Sequence, residues 1–164
     1  MRLLLSQTKC SFSGIGGHSF SIPNAKERAP AAYKLVNRGS VFAFSDGKAL
    51  FGWQLGDDSI NVSAWRGRSE EWMSECGYNP QDGQESKQAV QREFSGWSSD
   101  LLNLIEAADT MEAPRSLFML LVSFRWDNKP SVTLLGDAAH LMTPFAGIGV
   151  PCLRGCYEAC PHDY

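Results

Sequence analysis

The residues able to do chemistry concentrate near the carboxyl end of this 164-residue chain. From Val132 to Val150 the sequence reads VTLLGDAAHLMTPFAGIGV. The run Ser131 to Leu135, which leads into it, is β-rich without alternation, the pattern of a strand buried on both faces. Gly136 and Asp137 follow at the carboxyl end of that strand, where open α/β sheets bind ligands. A carboxylate freed there by a glycine turn accepts hydrogen bonds from ligand hydroxyls. Pro144-Phe145-Ala146-Gly147-Ile148-Gly149 then makes a loop whose glycines let the backbone approach a flat ligand closely. A helix starting just after Gly149 would turn its free N–H groups toward negative charge on that ligand. Taken singly, each residue also has an ordinary structural use. Gly-Asp after a strand is common, and a lone His140 is more often a hydrogen-bonded structural group than a catalyst.

A second cluster lies in the last residues, where Cys152, Cys156 and Cys160 recur every fourth position with His162 nearby. That spacing puts the thiols on one helical face and would suit a metal. It matches no common zinc or iron–sulfur pattern, however, and Gly155 and Pro161 both oppose a helix. We therefore expect no metal. Cys10 and Cys76 are isolated, and an odd total of 5 cysteines without framework spacing argues against a disulfide-stapled domain.

The elements that must position these groups are legible in part. The first forty residues look irregular: Ser11 to His18 reads as turn material, and Pro23 and Pro30 bracket a polar stretch. A β-meander follows over 41–66. Asp46-Gly47 between apolar runs is a strong hairpin signal, because both residues tolerate positive φ, and Gly56-Asp57-Asp58-Ser59 suits a second reversal. Helices are expected over about 69–108. Ser69 is the N-cap candidate of the first, ahead of Glu70 and Glu71, and Gly77 to Gly83 ends it. The second runs from about Glu85 to Phe94. In the third, opened by Ser99-Asp100, Leu101, Leu102, Leu104, Ile105 and Ala108 share one face. A strand is expected over Leu117–Phe124. The order β, α, β indicates an α+β (mixed α/β) fold with an antiparallel sheet.

Composition narrows the function classes. With 15 Lys+Arg against 18 Asp+Glu the chain is mildly acidic, and 43% of its residues are hydrophobic. That is a globular composition, without the basic stripe that phosphate neutralisation demands, so no nucleic-acid partner is expected. No window approaches the apolar length of a transmembrane span, and the apolar run at Leu3 to Leu5 is too short for a secretory signal. We expect a cytoplasmic location.

Gly136-Asp137-Ala138-Ala139-His140 followed by Pro144-Phe145-Ala146-Gly147-Ile148-Gly149 resembles the second FAD-binding motif of flavin-dependent aromatic hydroxylases. These include para-hydroxybenzoate hydroxylase, salicylate hydroxylase and the tetracycline monooxygenases. More loosely, Phe94-Ser95-Gly96-Trp97, the helix after it and the strand from Leu117 resemble the tetracycline-monooxygenase branch. The meander resembles the family's substrate-domain sheet. The resemblance implies FAD as cofactor, NAD(P)H and O2 as co-substrates, and an aromatic or polycyclic small molecule as substrate. It implies that Gly136 and Asp137 meet the ribityl chain and that Pro144 sits beside the isoalloxazine ring. Ala146, Gly147, Ile148 and Gly149 would then offer backbone to the pyrimidine end. Phe42, Phe44, Trp53 and Trp65 are candidates to face substrate, although core packing would explain any one of them.

Two departures qualify the resemblance. The family's opening Gly-x-Gly-x-x-Gly loop has no match. Gly14-Ile15-Gly16-Gly17-His18-Ser19 lacks the third glycine and a buried strand before it, and Asp46-Gly47 sits in a hairpin. After Gly149 the family continues with an Asn-led, Ala-rich helix, whereas this chain continues Pro151-Cys152-Leu153. The resulting expectation is a fragment of an FAD-dependent monooxygenase. A partial substrate domain would span 1–130, the second flavin motif 131–150 and an atypical tail 151–164, with no turnover from the chain alone. The alternative is a non-catalytic β-rich binding or interaction domain with a Cys-rich tail able to bind metal.

Overall fold

A computed structural model describes residues 8–120, 134 and 136–146. It divides into two compact units, one spanning Gly14–Ser116 and the other joining the residues before Gly14 to those from Leu117 onward. The architecture is the expected α+β. A six-stranded sheet has the order β2-β3-β4-β1-β5, with β6 also paired to β1. The strands are β1 (Ser11–Ile22), β2 (Ser40–Ser45), β3 (Lys48–Gln54), β4 (Ile60–Gly67), β5 (Thr110–Met111) and β6 (Arg115–Met119). The helices are α1 (Ala25–Arg28), α2 (Pro30–Val36), α3 (Trp72–Glu75), α4 (Gly83–Glu93), α5 (Ser99–Glu106) and α6 (Asp137–His140).

The meander forms as the turn chemistry requires. Between β2 and β3 the backbone reverses at Asp46 (φ 51°) and Gly47 (φ 67°), both left-handed, as a two-residue hairpin needs. Between β3 and β4, Asp57 Oδ1 accepts from the Ser59 backbone N–H at 3.0 Å and Asp58 takes φ 63°. Partners in these antiparallel pairs point to the same side and alternate along each strand. One face therefore carries Phe20, Ile22, Leu50, Ile60, Val62 and Ala64, all buried against α1, α2, α4 and α5. Gly52 lies on that face because a Cβ there would stand 3.3 Å from Leu104 of α5.

Helix ends follow local signals only partly. Asp82 caps α4 by accepting from the N–H groups of Gln84 and Glu85, each at 2.9 Å. Gly77 (φ 76°) separates α3 from α4, and Leu104, Ile105 and Ala108 are buried as the stripe of α5 requires. The expected cap at Ser69 is corrected. The helix there is a single turn from Trp72, the residue in the cap position is Glu71, and the Ser69 hydroxyl bonds Glu75 at 2.9 Å.

The largest correction concerns the first forty residues. Ser11–Ile22 is a continuous strand, paired with β4 on one side and β5 on the other. Gly16 and Gly17 are demanded by neighbours distant in sequence, whereas Gly14 takes φ 81° with open space where a Cβ would be. A Cβ on Gly16 would stand 2.5 Å from Trp72 Nε1, and one on Gly17 would meet the Ala64 carbonyl and the Trp65 ring. The stretch bracketed by Pro23 and Pro30 is helical instead of irregular, and Pro30 opens α2 from its first position, where no N–H bond is lost. β6 ends at Met119, and residues 121–124 of the expected strand lie outside the described residues.

Candidate functional site

The candidate flavin motif is built around Gly136, which takes φ 58° and ψ −139°, a backbone state open chiefly to glycine. That turn starts the one-turn helix α6. Ala139 on α6 is buried against Leu120 and Leu134, with Leu141 and Cys10 beside them. The Leu120 N–H donates to the Leu141 carbonyl at 2.8 Å, tying down the far side of the turn. Anchored in this way, the helix leaves Asp137 exposed in its first turn. After Leu141–Thr143 the chain makes a 3-10 turn over Pro144–Ala146, with Pro144 exposed and Phe145 half-buried. Gly136, Asp137, Pro144 and Ala146 thus belong to one short turn–helix–turn segment. Gly147, Ile148, Gly149, the helix expected after them, and Cys152, Cys156, Cys160 and His162 lie outside the described residues.

A second set of groups lies on the sheet, within the unit Gly14–Ser116. Pairing of Phe42 with Phe51, Phe51 with Ser63, and Ser63 with Ser19 places these residues on the face opposite the helices. By the same register Phe44, Trp53 and Trp65 share that face, so the structure brings all the candidate aromatics together. They differ in exposure. Phe42 and Phe44 are each 62% exposed and stand edge-on to Phe51 at 5.0 and 5.4 Å, whereas Trp65 is buried over Gly17.

Polar groups that no sequence signal marked run between them. Ser19 and Ser63 hydroxyls meet at 2.8 Å, the Ser63 hydroxyl approaches Asn61 Oδ1 at 3.5 Å, and Asn61 Nδ2 donates to Glu112 Oε1 at 2.9 Å. The row is legible only once β1 and β4 are paired.

The helix side holds a different cluster. Arg68 binds the Glu93 carboxylate through two hydrogen bonds of 2.8 and 2.9 Å and stacks on Trp72. Lys48 Nζ donates to the Glu93 carbonyl at 2.7 Å, and Arg66 lies 3.5 Å from its carboxylate. Beside them His18 is 1% exposed, with Nε2 3.0 Å from the Tyr78 hydroxyl and the Trp72 ring edge-on. Burial, and secondarily the Arg68 charge, push the His18 imidazole down to about 4. Burial likewise raises the Tyr78 phenol. His18 is therefore neutral near pH 7, and Gly16 and Gly17 serve strand packing within β1, so Gly14–Ser19 forms strand and not a phosphate loop. Among the described residues no His, Cys, Asp and Glu group gathers as a metal site, and no helix is long and apolar enough to cross a membrane.

Comparison with known proteins adds to this geometry. No family model matches the chain. In sequence, the chain is 41% identical over 64 residues to "Monooxygenase asqM" of Emericella nidulans and 38% identical over 64 residues to "Monooxygenase penA" of Penicillium thymicola. The alignments cover 35% of this chain and 14% and 15% of those proteins. In fold, 94% of the chain superposes on 36% of Klebsiella pneumoniae HpxO complexed with FAD and uric acid, with TM-score 0.65 and 18% identity. A salicylate hydroxylase in its substrate complex matches over 93% of this chain and 38% of its own, with TM-score 0.60 and 16% identity. The fold is shared with these two proteins, and the chain spans a little over a third of their length.

Proposed function

We propose that this chain supplies the substrate-facing sheet and the second flavin segment of an FAD-dependent monooxygenase, a cytoplasmic oxidoreductase. The observation that carries the proposal is the coincidence of two independent features. The fold match to flavin-bound HpxO extends over nearly the whole chain, and the Gly136-Asp137 pair of the motif-like string forms a glycine turn that leaves the Asp137 carboxylate exposed. We assign 1–130 to substrate binding, 131–150 to the flavin and 151–164 to the tail.

The residues present suit FAD. The left-handed Gly136 opens into free space, with nothing within 4 Å of where a Cβ would be. Asp137 beyond it offers acceptor oxygens to a polyhydroxyl chain, and Pro144, seven residues further on, is an exposed apolar ring. When bound, FAD would supply electron transfer from NAD(P)H and activation of O2. The chain's own residues would orient the ribityl hydroxyls through Asp137 and hold an aromatic small molecule against Phe42, Phe44, Trp53 and Asn61. No residue among these 164 matches the family's pyrophosphate loop, so we expect weak FAD affinity and no turnover from the chain alone.

Titration of FAD into the purified chain, followed by flavin fluorescence, tests the flavin assignment. We expect saturable quenching that Asp137→Ala weakens by about tenfold, the loss of charge-assisted hydrogen bonds, with circular dichroism unchanged. Equal affinity of wild type and Asp137→Ala removes Asp137 from the site. Absence of binding by both removes FAD function from this chain.

A further inference from the structure

We propose that the sheet face opposite the helices selects uncharged aromatic molecules bearing a hydroxyl or carbonyl group over aromatic carboxylates. Asn61 would recognise the polar group and Glu112 would turn the carboxylate away. The inference rests on the assignment of substrate to this face and adds the chemical class that the face accepts.

Asn61 stands in a cross-strand row with Trp53 on one side and Ser21 on the other. Its amide has two N–H donors and two acceptor lone pairs. One N–H goes to Glu112, and Ser63 reaches the carbonyl only at the limit of hydrogen bonding, 3.5 Å. One donor and an acceptor site therefore remain uncommitted on a side chain that is 9% exposed, within reach only of a ligand group directed between the rings. The aromatic surface beside this row is accessible, since Phe42 and Phe44 are largely exposed and Trp53 is half-buried. Flat rings gain both area and edge-to-face geometry against such side chains.

The charges on the two faces decide the class. Lys48 and Arg66 alternate to the helix side, where Glu93 holds them. At Asn61 the charge presented is the Glu112 carboxylate, and the Glu112 backbone N–H donates to the Ser19 carbonyl, fixing the residue beside the polar row. The cation at this rim, Arg115, is 3.5 Å from Glu112 Oε2 and already compensated by it. A ligand carboxylate would meet Glu112 as a like charge and lose its own hydration, while Arg115 beside it is already engaged by Glu112. A phenol or ring carbonyl meets neither penalty and can use the spare valences of Asn61.

Calorimetric titration of the full chain with 2-naphthol and 2-naphthoate at pH 7 and low salt, in wild type and Glu112→Gln, tests this. Glu112 is 44% exposed, so the substitution leaves packing intact. We expect wild type to bind 2-naphthol about tenfold more tightly. Glu112→Gln, which releases Arg115, should tighten 2-naphthoate and shrink the preference to about threefold or less. Asn61→Ala should weaken 2-naphthol severalfold. Equal or tighter binding of 2-naphthoate by wild type overturns the charge rule while leaving the face as an aromatic site. A preference unmoved by Glu112→Gln also overturns it, since hydrophobicity alone would then account for the difference. If neither compound binds, the assignment of substrate to this face fails, and the proposal with it.

Discussion

The two faces of the central sheet are built from alternate residues of the same strands, yet they obey different rules. Toward the helices, Phe20, Leu50, Ile60 and Val62 are at most 2% exposed within one apolar cluster, giving way at one end to the ion-paired Arg68–Glu93 cluster. Away from the helices, Ser19, Asn61 and Ser63 link through hydrogen bonds between aromatic rings, two of which stand open to solvent. One face excludes water across its apolar cluster, whereas the other sets a buried row of hydrogen-bonding groups beside exposed rings. Stability should therefore reside mainly on the first face and ligand recognition on the second.

The sharpest way to break that contrast is Leu50→Ala. Leu50 is fully buried, so truncation should leave a cavity and cost about 2–5 kcal/mol, read as a lowered urea midpoint with unchanged slope. A loss below about 1 kcal/mol would show that the helix-side core does not dominate.

The buried imidazole sharpens the comparison through pH. The His18 imidazole titrates at about 4 in the folded state against 6.5 for an unperturbed histidine, so the unfolded chain takes up the proton first. Its contribution is fully present above about pH 6.5 and lost as pH falls toward 4, amounting to about 3 kcal/mol at most by linkage. Urea melts from pH 7 to 4 should show this slope in wild type. His18→Gln should flatten it, and an equal slope in the variant would exclude His18 as its source.

The smallest effect is expected on the open face. Phe42→Ala and Phe44→Ala remove exposed rings and should change stability by about 0.5 kcal/mol or less, while weakening 2-naphthol binding. A large stability loss with binding intact would reverse the roles of the two faces.

Legibility in the sequence followed the range of the interactions. The β2–β3 hairpin was readable because Asp46-Gly47 determines its own φ, and α5 because its apolar stripe recurs within two turns. The reading of the Gly136–Gly149 string rests on resemblance alone. β1 was not readable. Its glycines lack β propensity, and the rings that demand Gly16 and Gly17, those of Trp72 and Trp65, stand about fifty residues away. Pro23 and Pro30 hid α1 and α2, because proline at a helix start looks locally like proline in a loop. Nothing near His18 announced a buried imidazole, and nothing in isolation joined Ser19, Asn61, Ser63 and Glu112.

By itself the sequence determined the α+β class, the meander, the main helices of the middle region and the resemblance to flavin hydroxylases. Each of these rests on spacings of a few residues, over which turn dihedrals and side-chain periodicity act. Tertiary structure alone decided that a glycine-rich segment is an inner strand, which face each aromatic occupies, and that Asn61 meets Glu112. Those outcomes depend on strand register, and register is set by burial and by partners brought together only when the whole sheet closes.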